Sequence, residues 1–513
     1  MRLRRVPTGN FFLPRGGTPI ASRFPFAPAR PPASADFPPA VLFNSLTFVV
    51  FFAVVVSGYW LLNSWPARKN LLLVASYIFY GAWNPPFALL LFATTALDFY
   101  LGARIAGASD PSARKRWMWA SVASNLSMLG FFKYGNFLLE NTQWLLARVG
   151  VAYHPPHLDI FLPIGISFYT FHSLSYTLDV YRCVCQPTKS LRDFTLAVSF
   201  FPQLVAGPIV RAADFLPQLV SARTLAPNQF VWGLFLVSLG MFQKIVLADT
   251  LLAPVSDSVF GHPSPVLTLD AWAGVIAFSG QIFFDFSGYS TCAIGAALCL
   301  GFHLKDNFLF PFAAVGFSDF WRRWHISLST FLRDFLYIPL GGNRVGALRA
   351  VVNLLIVMFL GGLWHGAAWT FVVWGLIHGL CLAVEYLLRA VTKDSAWKET
   401  LPVNLLLCAV TYFFVCIAWV FFRAADFPSA AMLLGAMAGK IPVGQAIVSG
   451  REMLQVALVI VGLWIFHWRL RDTSLEAAIA SKPAWLIGAL WTVMLGAIIL
   501  TQGSGNAFIY FQF

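Results

Sequence analysis

Charge is scarce in this chain: Asp, Glu, Lys and Arg make up 11% of its 513 residues, against about a quarter in a soluble domain. That scarcity excludes an ordinary water-soluble fold. The seven cysteines lie mostly in apolar runs, with no C-x-x-C pair and no Cys/His ligand spacing. Neither a disulfide scaffold nor a zinc site is therefore indicated. Cys183 and Cys185, one residue apart, read as inert thiols or as a modified pair. The Gly-x-Ser-x-Gly elbow is missing, which excludes the hydrolase signature built on it. There is no internal repeat. The longest polar connections, 104–117, 181–193, 211–228, 302–348, 391–402 and 439–452, are too short or too interrupted to hold a soluble core.

Apolar residues take the place of charge: 58% of the chain is hydrophobic, with 50 Phe and 19 Trp. Runs of spanning length recur around 45–63, 71–83 with 86–105, 118–133, 160–180, 229–253, 270–301, 350–373, 403–422, 453–468 and 484–501. They predict an all-α polytopic membrane protein of about 10–12 transmembrane or re-entrant helices. The formal charge of +13 does not point to nucleic acid, because the basic residues cluster in short loops beside apolar runs. Arg68 and Lys69 follow the first run, and Arg104, Arg114, Lys115 and Arg116 follow the third, while the turn Trp83–Pro86 has no charge. Both basic loops are expected in the cytoplasm, which puts the start of the first run, near Val41, outside.

Residues 1–40 conflict with that orientation, since they carry six arginines and one acid in a Pro-rich stretch that would have to be translocated. They contain no apolar core of signal-peptide length. The expectation is either a disordered tail or upstream sequence from a mis-assigned start, with Val41 as initiator. Residues 41–513 are expected to form a single membrane domain.

Polar and ionisable groups at bilayer depth are costly, so they mark function by default. His325 lies in the charged stretch 317–344, and His365 lies in LGGLWHGAAW, a run that otherwise reads as membrane-buried. Between Phe320 and Phe335 the apolar residues recur at three- and four-residue steps, with Arg322, Arg323, Arg333 and Asp334 mostly elsewhere. This predicts one amphipathic helix, lying at the interface or dipping inward, that Pro339, Gly341 and Gly342 stop. Taken alone, His365 could equally be a hydrogen-bonded interhelical residue, and His325 an interface residue. No Asp or Glu at ligand spacing makes them a metal pair.

Four segments carry a resemblance: FFPQLVAGPIVR (200–211), QIFFDFSGYSTCAIGAALCLGF (281–302), FWRRWHISLSTFLRDFLYIPLGGNR (320–344) and LGGLWHGAAWTFVVWGLIHG (360–379). Together they resemble membrane-bound O-acyltransferases, and more narrowly the bacterial branch of alginate O-acetylation membrane subunits and teichoic acid D-alanyl transfer proteins. The resemblance is collinear from VLFNSLTF near Val41 to the terminal FIYFQF. It implies a non-repeating helical fold with a central tunnel, His365 as the catalytic histidine and His325 as the second signature histidine. It also implies acetyl-CoA as donor substrate with no tightly bound cofactor. The expected setting is the bacterial inner membrane, with a polysaccharide acceptor such as alginate and an SGNH-type periplasmic or membrane-anchored partner to finish the transfer. An imidazole in a low-polarity tunnel suits this chemistry, because desolvation disfavours its charged form and keeps it neutral near pH 7.

Arg322 and Arg323 are candidates for phosphate contacts to an acyl-CoA or lipid, with interfacial anchoring as the alternative. Trp324 and Trp364, beside the two histidines, are candidate substrate contacts. Asp285, inside an apolar run, is either a partner for a buried cation or part of the acceptor funnel. Lys244 and Asp249 are expected to pair near a membrane face. His378 would stand about 20 Å from His365 along a continuous helix. His172, His154, His157, His262, His303 and His467 carry no chemical signal. Thr291, where the branch often has an acid, and AAVG at 313–316 depart from its pattern and bear on the acceptor. D-alanyl transfer to teichoic acid and acylation of a lipid are the alternative reactions. A non-catalytic polysaccharide exporter is the alternative class; it would line a path through repeated broken helices with polar groups, whereas here they gather in one region.

Overall fold

The computed structural model describes residues 43–205, 207–391, 400–440 and 444–501. The stretch expected to be a tail or an upstream extension, 1–40, lies outside the described residues. In a bilayer every backbone N–H and C=O needs an internal partner, and the chain meets this demand with helices; no strand occurs among the described residues. Their starts are written locally. Ser45 accepts from the Phe48 amide at the head of Leu46–Leu61, Asp110 caps Pro111–Arg148, and Ser449 with Glu452 forms a capping box for Gly450–Leu470.

Eight helices among the described residues are long and apolar enough to cross a membrane: Pro85–Gly107, Pro227–Phe260, Thr268–Cys299, Ala347–His365, Trp369–Arg389, Leu401–Arg423, Gly450–Leu470 and Ala484–Thr501. Leu46–Leu61 and Phe427–Met437 are shorter apolar helices. The protein is thus an all-α multi-pass membrane protein. Burial orders the spans. The apolar stretch of Thr268–Cys299 is 89% buried, which makes it the central helix, whereas that of Ala484–Thr501 is 11% buried and faces outward.

The central helix packs backbone to backbone on Pro227–Phe260. A Cβ on Gly240 would strike the Gly288 carbonyl, and a Cβ on Gly233 would strike that of Gly295. Such close approach is how helices associate where lipid offers no hydrophobic incentive. It buries Lys244 between Asp249 (2.9 Å) and Asp285. The five-residue step from Lys244 to Asp249 falls in a π-helical segment, Phe242–Leu252. The Lys244–Asp249 pair therefore forms as expected but lies inside the bundle, both residues being buried, rather than near a face. A second polar knot, Asp98 accepting from Ser121 (2.7 Å) and Asn125 (2.8 Å), joins Pro85–Gly107 to Pro111–Arg148, and Thr177 extends it to Ile166–Tyr181.

The expected single amphipathic helix across 320–335 is two. Phe317–Arg323 stops, Trp324 is extended, and Ile326–Leu332 begins afresh before a π turn, Arg333–Tyr337. The break is at His325, whose φ of 44° and ψ of 55° are left-handed. The segment dips inward: Phe320, Trp324, His325, Leu328 and Phe331 are all buried.

Candidate active site

Ala347–His365 ends on its histidine, the chain turns through residues 366–368, and Trp369–Val391 runs back alongside. The hairpin closes because Gly362 meets the Phe371 carbonyl and the Gly375 Cα where any side chain would collide. A helix that ends inside a bundle leaves carbonyls without partners. Here Pro111–Arg148 supplies them: Tyr134 Oη donates to the Leu363 carbonyl (2.8 Å), and Lys133 Nζ donates to those of Trp364 (2.7 Å) and His365 (2.9 Å). The His365 ring is enclosed by Trp364, Trp374 and Phe422 at centroid distances of 5.0, 4.8 and 5.2 Å.

His325 is held from the other side. A non-glycine residue in left-handed backbone costs of order 1–3 kcal/mol and persists only where its surroundings dictate it. Asn307 does so. Its carbonyl accepts the Ile326 amide (2.9 Å), and its Oδ1 accepts the Ser327 amide (3.2 Å) and hydroxyl (2.8 Å). An amide N–H can only donate, so the Asn307 atom facing it is the oxygen. His325 Nδ1, 3.2 Å from that same oxygen, must therefore carry the proton. Nε2 is left as the basic nitrogen. It is buried and has no hydrogen-bond partner among the described residues. His325 lies in a connection outside the spanning helices, and burial pushes its imidazole down to about 3, which keeps it neutral.

Trp364 joins the two histidines, with its ring 6.0 Å from that of His325 and 5.0 Å from that of His365. Its indole N–H is buried and also lacks an acceptor among the described residues. Among the described residues the buried groups here without a hydrogen-bond partner include an acceptor, His325 Nε2, and a donor, Trp364 Nε1–H, on neighbouring rings; Trp374 Nε1–H beside His365 and the ring nitrogens of His378 are others. The combination of His325 and Trp364 can take a proton from a hydroxyl while polarising a carbonyl.

The other sequence candidates stand elsewhere. Trp324 is buried in aromatic packing against Phe308 (5.2 Å) and Trp419 (5.3 Å). Arg323 is tied to Asp319 (3.0 Å) and to the Arg471 carbonyl (2.8 Å), whereas Arg322 is exposed, 3.8 Å from Asp319. Asp285 pairs with Lys244. His378 is nearer to His365 than a continuous helix would allow, because the hairpin brings Trp374, its neighbour one turn earlier (4.9 Å), against His365 (4.8 Å). Among the described residues no three His, Cys, Asp or Glu side chains gather as a metal ion would require. Two positioning residues escaped the sequence reading, Lys133 and Asn307. The one available signal was a lone lysine closing the apolar run 118–133.

The fold is that of a multi-pass membrane protein, a helical bundle with two buried histidines on either side of one tryptophan. The chain belongs to the membrane-bound O-acyltransferase family, whose pattern matches residues 188–425. It is 38% identical over 497 residues to a probable alginate O-acetylase AlgI of Pseudomonas putida, covering 92% of this chain and 100% of that one. It is 37% identical to a peptidoglycan O-acetyltransferase of Helicobacter pylori over 78% of this chain and 80% of that one. A teichoic acid D-alanyltransferase of Bacillus subtilis is 26% identical over 54% of this chain and 72% of its own length. The protein is an O-acyltransferase embedded in a membrane.

Proposed function

We propose that the chain takes an acetyl group from cytoplasmic acetyl-CoA and passes it through the inner membrane for O-acetylation of an extracytoplasmic polysaccharide, alginate or a related glycan. The observation that carries this reading is the pairing of an unpartnered acceptor on His325 with an unpartnered donor on Trp364, beside His365, inside a membrane bundle. In the proposed reaction the acceptor hydroxyl oxygen attacks the thioester carbonyl carbon and the C–S bond breaks. His325 takes the hydroxyl proton at Nε2 and returns it to the leaving sulfur, so coenzyme A departs as the thiol. Trp364 Nε1–H donates to the carbonyl oxygen as charge gathers there. His365, the histidine of the WHG motif, lies against the thioester as the second catalytic group.

The implied tunnel would run from both membrane faces to this centre. An SGNH-type partner is proposed to complete delivery to the sugar. The relatives named for alginate and peptidoglycan O-acetylation support a glycan acceptor over D-alanyl transfer, because they match far more of the chain. The test is the acetyl ester content of the exopolysaccharide in a strain lacking this gene, complemented with wild type or His365→Ala at equal membrane abundance. Wild type should restore the esters and the variant should not. An unchanged ester content in the deletion strain would remove the glycan acceptor from the account.

A further inference from the structure

Three arginines gather at one end of the bundle. Arg211, of the GPIVR segment, pairs with Asp334 (2.5 Å) and donates to the Thr330 carbonyl (3.2 Å). Arg333 pairs with the same Asp334 (2.7 Å) while 59% of its side chain stays exposed. Arg182 is exposed, and its hydrogen bond goes to the Asp334 backbone carbonyl (3.1 Å), not to a carboxylate. Two guanidiniums thus share one carboxylate and a third has no ion pair among the described residues, so the cluster has surplus positive charge where water can reach it. Two further acids lie near the cluster: Asp179, which is buried, and Asp214, which pairs with Lys305 (2.7 Å).

Arg182 and Arg211 both lie over the ring of Phe335, at 5.5 and 5.0 Å. From there a file of aromatic rings leads inward. Phe335 meets Phe331 at 4.8 Å, Phe331 stacks on Phe171 at 4.2 Å, and Phe171 stacks on Trp364 at 5.4 Å. Trp364 is the ring between the two histidines. The cationic cluster and the two histidines are therefore the two ends of one continuous file of packed aromatic rings.

In the orientation that the basic loops predict, the arginine end faces the cytoplasm, from which a soluble donor would arrive. Arg114, in the basic loop that the charge pattern assigns to the cytoplasm, donates to the carbonyls of Val180 (3.1 Å) and Tyr181 (2.8 Å), and Arg182 is the next residue. Planar guanidiniums suit phosphate oxygens.

We infer that Arg182 and Arg211 form the seat for the phosphates of a thioester donor whose acyl-bearing arm lies along Phe335, Phe331 and Phe171 to reach Trp364 and the histidines. This rests on the proposed use of acetyl-CoA. The phosphate chemistry would equally suit an anionic lipid headgroup, and the experiment separates the two.

The test is acetyl transfer by the purified full-length protein in phosphatidylcholine vesicles, with acetyl-CoA or with S-acetylpantetheine, which has the same thioester and no phosphate. Arg182→Gln, at an exposed position, should raise KM for acetyl-CoA about tenfold, the loss of roughly one good charge-assisted contact, and leave the rate with S-acetylpantetheine unchanged. Arg211→Lys, which keeps a cation for Asp334, should shift the same ratio in the same direction. Equal effects on both donors, or no effect on either, would overturn the seat while leaving the donor assignment intact. Wild-type protein inert toward acetyl-CoA would overturn the donor assignment and the seat with it. If Arg182→Gln altered only the response to added phosphatidylglycerol, the site would belong to a lipid headgroup and the inference would fall.

Discussion

Asn307 Oδ1 accepts from His325 Nδ1 at 3.2 Å while the Ser327 amide and hydroxyl converge on the same oxygen. One side chain therefore fixes the left-handed backbone, the tautomer and the ring orientation of a buried histidine. Asn307→Ala should leave the protein folded in the membrane but lower acetyl transfer about a hundredfold, the scale of a reacting group set loose by an ångström. Initial rates on detergent-purified protein that still elutes as a single species would check this. Wild-type turnover in Asn307→Ala would show that His325 needs no such hold.

Lys133 reaches the His365 helix from a residue more than two hundred positions away. Lys133→Met removes the donor shared by the Trp364 and His365 carbonyls, so the end of that helix should loosen and the rate should fall about tenfold, in keeping with roughly 1 kcal/mol for a lost hydrogen bond. Lys133→Arg keeps a hydrogen-bond donor and should retain most of the rate. Equal rates for Met and Arg at this position would count against a positioning role.

How much of this was open to sequence reading follows from the range of each interaction. The spanning helices were legible because each is a long apolar run, and His365 and His325 stood out as imidazoles in such surroundings with recognisable flanks. The break at His325 was not legible. FWRRWHISLSTF continues a helical period with no Gly or Pro, and the left-handed turn is imposed by Asn307, from a separate segment eighteen residues earlier. Sequence spacing likewise made His378 remote, because nothing in GAAW reveals that the chain reverses there. The phosphate role offered for Arg323 was framed without sight of Asp319 and Arg471, which occupy it in the fold, whereas Lys244 is the buried cation that one reading of Asp285 called for.

The buried ion cluster gives a stability prediction independent of catalysis. Lys244 stands between Asp249 and Asp285 inside the bundle. Lys244→Met leaves two buried carboxylates without their cation and should destabilise the protein by about 3–5 kcal/mol. Thermal unfolding in detergent would show this as a clear drop in Tm. The double change Lys244→Met with Asp285→Asn should recover part of it, and a Tm unaffected by Lys244→Met would mean that the cluster contributes nothing to the fold.

The central claim is that His325 and His365, joined through Trp364, carry out the acyl transfer. The most direct measurement is consumption of radiolabelled acetyl-CoA by purified wild type, His325→Ala and His365→Ala in vesicles, with thermal unfolding recorded for each to establish that the variants are folded. The account predicts that each folded variant loses at least about a hundredfold in rate, the lower end of what a positioned acid–base group supplies. A folded variant of either histidine that turns over within a fewfold of wild type would contradict it.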